Sequence, residues 1–373
     1  MKNHIEFLDG IRGIAILAVF LFHCLGCSFG FYELPWGRWL CDFSTAKSIL
    51  PLIPFTFGWA GVAMFFVVSG FCIHLSFLNG PANDWHGFFA RRFFRIYPPY
   101  FVAMIFFALI FPFTQLSPRY PSSYAQFGSH LLLFHNLDFR SFYGINPSFW
   151  SIAVEVQLYL IYPALLVLVK KFGWRGALTL LCLLEVAMRG FAGVYDTATG
   201  HPAPRWFSGL PFSYWFSWAV GAALADALAQ KRPLPFRSQS VWLLGGAAVV
   251  AGLVRPLFPL SFLFFALLTV SVMAKLLDGR NFAPLPRWTA AHLSRLGICS
   301  YSFYLLHQPL VMAFSELMKK LQFLPQHPVV LFAVCVATYP CVFSLAWLYY
   351  RYCESLSISL GKQYLRKLTP QTT

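Results

Sequence analysis

The strongest constraint on this chain is a series of ten apolar runs, most of them near the roughly 20 residues that carry a helix across a bilayer. They fall at about 11–30, 54–78, 97–113, 149–169, 174–191, 208–229, 240–255, 257–277, 296–318 and 329–350, and only Arg255-Pro256 separates the seventh from the eighth. Charged residues make up 11% of the 373, against about 25% in a soluble domain. So few charges cannot cover a water-facing surface, which excludes a soluble enzyme, a disordered chain and a collagen-like chain. The expected fold is an all-α integral membrane bundle of ten spans. No segment is long enough for a separate soluble domain, so residues 1–373 read as one transmembrane unit, and the first run lacks the flanks of a cleaved signal peptide.

The formal charge of +15 comes from scarce acids rather than dense basic stretches. Short basic clusters between apolar runs orient a membrane protein, and no nucleic-acid partner is expected. With the N-terminus in the cytoplasm, 19 of the 28 Lys and Arg fall on the inner side, including Lys170, Lys171 and Arg351. Nine, such as Arg38, Lys47 and Arg119, fall outside. An even number of spans then returns the C-terminus to the cytoplasm. Cys24 and Cys27 have redox spacing but sit within an apolar run, where thiols pack as small hydrophobes.

Ionisable groups inside these runs are the candidate functional residues, because lipid makes them costly. Arg12 and His23 are eleven positions apart, so they share one helical face with a rise of about 16 Å between them. Ser151, Glu155 and Tyr159 recur every fourth residue and form a polar stripe. Measured through a hydrocarbon core of about 30 Å, Glu155 and His23 come to similar depth, which makes them candidate partners. Ser300, Tyr304 and His307 form a third stripe, with Tyr301 off it. Arg91, Arg92 and Arg95 cluster before the third run, whose start carries Pro98 and Pro99. Such a cluster is either membrane punctuation or a phosphate clamp, since guanidinium forks match phosphate oxygens. Ser69 and His74 are 140° apart on a helix and do not make a dyad. Glu185 and Arg189 form an i, i+4 structural pair.

These residues fall into motifs that resemble membrane-bound acyltransferase family three, which includes bacterial O-antigen and exopolysaccharide O-acyltransferases. Leu8-Asp9-Gly10-Ile11-Arg12-Gly13 followed by His23 is similar to its opening motif, an Arg and a His with ten residues between. Phe65-Phe66-Val67-Val68-Ser69-Gly70-Phe71 resembles the second-helix signature. Arg91-Arg92-Phe93-Phe94-Arg95-Ile96-Tyr97-Pro98 resembles the basic motif. Trp150-Ser151 through Glu155, Gln157 and Tyr159 resembles the fourth, and Ser300 through Pro309 the late one. Two positions depart: Val156 stands where many relatives have a second Glu, and Ser355 follows Glu354 where many have Pro nearby.

The resemblance implies a bacterial inner-membrane enzyme that moves an acyl group, acetyl being the commonest, from cytoplasmic acyl-coenzyme A to a carbohydrate hydroxyl. It implies no permanently bound cofactor or metal. Arg91, Arg92, Arg95 and Ser69 are then the expected donor-binding residues. His23 is the expected general base or acyl carrier, oriented by Glu155, while Arg12 binds phosphate or polarises the donor. Tyr304 and His307 are candidate oxyanion donors, with His307 an alternative base. From the residues alone, a transporter using the buried charges as a proton or ion relay and a non-catalytic membrane subunit also stand.

Overall fold

The computed structural model describes residues 6–31, 51–81, 84–110, 121–201, 203–279, 285–321 and 327–368. Lys2, Arg38, Lys47, Arg119 and Arg280 of the charge count, and the end of the third expected span, lie outside the described residues. Helices dominate, with no β-strand among the described residues. In chain order the principal helices begin with α1 (Glu6–Phe29), α2 (Gly61–Leu78), α3 (Trp85–Ile105), α4 (Pro121–Leu131) and α5 (Trp150–Leu160). There follow α6 (Tyr162–Thr199), α7 (Trp215–Ala229), α8 (Val241–Leu253), α9 (Phe258–Leu277) and α10 (Arg287–Ile298). The last four are α11 (Ser300–Leu321), α12 (Pro328–Ala337), α13 (Tyr339–Tyr349) and α14 (Ser355–Leu368).

Six described helical stretches are long and apolar enough to cross a membrane: Phe7–Phe29, Ile53–Leu78, Trp85–Leu109, Tyr162–Thr199, Phe258–Leu277 and Pro328–Lys367. This is a multi-pass membrane protein. The helices α7 and α8 are apolar but shorter. The ninth expected span corresponds to α11, whose polar stripe and terminal Lys319 and Lys320 leave it outside that group. The fourth expected span is interrupted at Ile161, and the fifth begins just after Gly173, whose positive φ of 67° breaks the path of α6 between the two.

The third span differs most from expectation. Helix α3 starts at Trp85, so Arg91, Arg92 and Arg95 lie within the helix and not before it. Asp84 caps its start by accepting from the Gly87 N–H at 2.7 Å. Pro98 and Pro99 sit inside the helix and not at its beginning. Pro98 has no N–H for the carbonyl four residues earlier. That carbonyl, on Phe94, accepts a hydrogen bond from the Ser357 hydroxyl instead. The proline that looked like a start signal therefore makes a docking point for α14.

Lipid-soluble helices gain little hydrophobic energy by meeting, so close backbone approach and internal hydrogen bonds hold them together. The α2–α7 contact shows the first device. A Cβ on Gly70 would lie 2.0 Å from the Trp218 carbonyl, and one on Gly221 would lie 2.0 Å from that of Val67. The second device joins α6, α7 and α9. Glu185 Oε1 receives Arg189 Nε at 2.9 Å and the Ser217 hydroxyl at 2.6 Å. Arg189 also donates to the Ser213 and Pro259 carbonyls, so the expected structural pair is present. At the other end of α2, His74 joins Tyr162 at 2.7 Å and Asp226 at 3.3 Å, while Trp174 donates to Asp226 at 2.7 Å. His74 thus faces away from Ser69, as their angular spacing predicts.

Candidate active site

A cavity of about 140 Å³ lies between α1, α2, α3, α5 and α11. Arg12, Arg92, Arg95, Ser69, Glu155 and Tyr304 all line it. Five sequence motifs, spread from the first helix to the eleventh, thereby meet in one place.

The arginines differ in what they already hold. Arg12 donates to Asp9 at 3.2 Å and to the Cys72 sulfur at 3.1 Å. Arg92 is positioned over the Phe88 ring, and its buried Nε and Nη2 have no hydrogen-bond partner among the described residues. A buried guanidinium without acceptors is costly unless a ligand supplies them. Arg95 keeps an open face toward the cavity, and behind it lies the buried Glu354, which accepts from the Ser302 hydroxyl at 2.6 Å. Arg91 is the exception in this cluster. It points away from the cavity and pairs with Asp84 at 3.2 Å, because one helical step of about 100° separates it from Arg92.

The polar stripe of α5 faces the cavity as expected, but Glu155 has other partners than those its depth suggested. Its Oε1 accepts from Ser69 at 2.6 Å and from Tyr159 at 2.5 Å. Trp218 donates to Ser69 at 3.3 Å. His23 contacts His307 instead, with His307 Nε2 and His23 Nδ1 2.9 Å apart. The expected Glu155–His23 contact is therefore corrected. Equal depth fixes one coordinate, and the azimuth of each helix sends the two groups to different neighbours.

Tyr304 connects these two centres. It lines the cavity, shares a 2.7 Å hydrogen bond with Ser151, and its ring centroid lies 5.4 Å from that of His307. His307 is fully buried, whereas His23 retains accessible surface. Around them Asn146 donates to the Leu305 carbonyl at 2.8 Å and Ser148 donates to Gln308 at 2.5 Å.

Two cavity residues and one behind Arg95 escape the sequence stripes. Tyr301 lines the cavity although it lies off the α11 stripe, because its hydroxyl reaches across to the Ile96 carbonyl at 2.8 Å. Cys72 is one turn from Ser69 and lines the same wall, which an i, i+3 comparison on α2 identifies. Glu354 needs the folded chain, since it ends a π-helical turn, Tyr350–Glu354, that re-aims the end of the helix.

The profile of a family described as "Acyltransferase domain" matches residues 5–347. The chain belongs to acyltransferase family three. It is 25% identical over 346 residues to the peptidoglycan O-acetyltransferase OatA of Listeria monocytogenes, covering 83% of this chain and 50% of that protein. It is 28% identical over 326 residues to the acyltransferase MdmB of Streptomyces mycarofaciens, covering 80% and 77%. A third relative is the putative peptidoglycan O-acetyltransferase YrhL of Bacillus subtilis, 26% identical, for which the coverage is 62% and 34%. The chain thus spans about half the length of the Listeria relative and a third of the Bacillus one. No solved structure matches it. The residues on which the resemblance rests gather around the cavity and the His pair, with Arg91 the exception.

Proposed function

We propose that this acyltransferase moves an acyl group, most simply acetyl, from cytoplasmic acyl-coenzyme A to a hydroxyl of a cell-surface or lipid-linked carbohydrate. The observation that carries this reading is the unpaired Arg92 beside Arg12 and Arg95 on a cavity that also holds Ser69 and Glu155. Three guanidinium groups with free donors suit a polyphosphate, and acyl-coenzyme A supplies one. The names of the Listeria and Bacillus relatives support a carbohydrate acceptor.

The proposed topology has ten spans with both termini in the cytoplasm of a bacterial inner membrane, supported by the excess of Lys and Arg on that side. In that orientation the arginine-bearing part of α3 lies toward the donor, and His23 toward the acceptor. The donor's phosphates bind Arg12, Arg92 and Arg95, and its thioester reaches past the Ser69–Glu155–Tyr159 cluster toward Tyr304. The acceptor hydroxyl approaches His23, which takes its proton as the oxygen attacks the thioester carbonyl. Tyr304 donates to the oxyanion, and the coenzyme A thiolate leaves. A positioned base supplies about 10²–10⁴ in rate, and an oxyanion donor about 10²–10³. Neither a resident metal nor a prosthetic group enters this scheme.

Mass spectrometry of surface glycans tests it, with a deletion strain complemented by wild type or His23→Ala at matched membrane levels. An acyl mass present only with wild type supports both the reaction and the base, and identifies the acyl group. Identical glycans with and without the gene would remove the carbohydrate acceptor. Ion flux without acyl-coenzyme A consumption in proteoliposomes would favour the relay reading instead.

A further inference from the structure

Resting on the proposal that His23 is the base, we infer that His307 is a positioning residue that holds His23 as its Nδ1–H tautomer, leaving His23 Nε2 as the base atom. The argument follows hydrogen-bond chemistry along one chain of atoms. His307 Nδ1 lies 2.9 Å from the Tyr304 carbonyl and 3.2 Å from that of Phe303. Carbonyl oxygens only accept, so Nδ1 of His307 carries a proton. His307 is fully buried, and its polar contacts are carbonyls and another imidazole. With no counter-ion beside it among the described residues, the ring is the neutral imidazole, and its Nε2 is a lone pair. The 2.9 Å contact between that Nε2 and His23 Nδ1 is a hydrogen bond only if His23 Nδ1 donates.

A neutral imidazole protonated at Nδ1 is basic at Nε2. His23 Nε2 has no hydrogen-bond partner among the described residues, and His23 is the ring with accessible surface. The pair therefore divides the work: His23 meets the hydroxyl, and His307 acts through it. This is the role of the orienting carboxylate in hydrolase triads, performed by a neutral acceptor. It also explains why Glu155 is free to serve the donor cavity. When His23 takes the substrate proton at Nε2 it becomes an imidazolium, and its Nδ1–H donates more strongly to His307. The proton then passes from Nε2 to the departing coenzyme A thiolate or to water, and His307 changes no protonation state.

The test compares His307→Phe, which keeps a ring but removes the acceptor, with His307→Gln, which restores an acceptor oxygen. Purified full-length proteins are assayed with acetyl-coenzyme A and a glycan acceptor across pH. The expected result is a kcat lower by about 10²–10⁴-fold for His307→Phe, an unchanged KM for acetyl-coenzyme A, and at least a tenfold recovery with His307→Gln. Near-wild-type kcat in His307→Phe overturns the inference, as does an equal loss in both variants. A second measurement does not need an active variant. Nitrogen-15 spectra of histidine-labelled protein, assigned with His23→Ala and His307→Ala, should show His23 protonated at Nδ1 and bare at Nε2, and the reverse pattern overturns the assignment. Retained activity in His23→Ala would remove the base itself, a failure separate from that of the tautomer.

Discussion

Ser69 on α2 donates its hydroxyl to Glu155 on α5 at 2.6 Å, within a cluster that Tyr159 closes at 2.5 Å. This bond joins two sequence motifs 86 positions apart and places the cavity's carboxylate opposite its arginines. Glu155→Gln keeps the shape and removes the charge, leaving the three arginines without their lining counter-charge. The expected outcome is a loss of at least tenfold in kcat/KM for acetyl-coenzyme A with an unchanged thermal transition in detergent. Ser69→Ala, which deletes one donor to that carboxylate, should cost less, on the order of 1 kcal/mol of binding.

Arg91 and Arg92 are adjacent in sequence and opposite in role. Arg92→Leu should raise KM for acyl-coenzyme A by about 10- to 100-fold, the loss of one charge-assisted contact of roughly 1.5–3 kcal/mol. It should not lower stability, because its buried Nε and Nη2 have no hydrogen bond to lose among the described residues. Arg91→Leu removes a half-exposed pair with Asp84, worth about 0–1 kcal/mol, and should leave KM within threefold. Steady-state kinetics on the two variants decide this.

Cys72 offers a direct probe of donor binding, since it lines the cavity beside Arg12. A maleimide that labels wild type more than Cys72→Ser should lose that difference when coenzyme A is present. Undiminished labelling at saturating coenzyme A would place the donor elsewhere.

Glu185 and Arg189 test the helix-joining network apart from catalysis. Breaking a buried pair by removing one partner leaves an uncompensated charge and costs about 3–5 kcal/mol. Glu185→Leu should therefore lower the thermal transition strongly, and Glu185→Leu with Arg189→Leu should lose less than the two single changes added together. A double-mutant cycle by thermal unfolding in detergent checks the sign.

His130 and His135 stack at 3.9 Å and 6° on the segment between α3 and α5. Burial lowers the His130 pKa from 6.5 to about 4, and burial, then the neighbouring His130, lowers that of His135. Both rings are thus neutral in the fold and protonate more readily when unfolded. Stability they contribute is complete above pH 6.5 and is lost as pH falls toward 4, for His130 on the order of 3 kcal/mol. The thermal transition should drop across that window, and less in a His130→Asn, His135→Asn double variant.

Much of the site was legible in the sequence because helical geometry is local. The 3.6-residue period alone puts Ser151, Glu155 and Tyr159 on one face and separates Ser69 from His74, and both results hold in the fold. The scarcity of charge determined that the helices live in a membrane, since no water-facing surface can be built from these residues. Partner choice was not local. A helix's depth follows from counting residues, but its rotation and neighbours follow from packing against other helices. Only the tertiary structure turned His23 toward His307 and Glu155 toward Ser69. The same holds for Arg92, whose unmet hydrogen bonds become visible only when every surrounding side chain has its place, and for Glu354, brought behind Arg95 by a π-helical turn. The chain's chemistry specifies which groups must be buried, and close packing decides which of them meet.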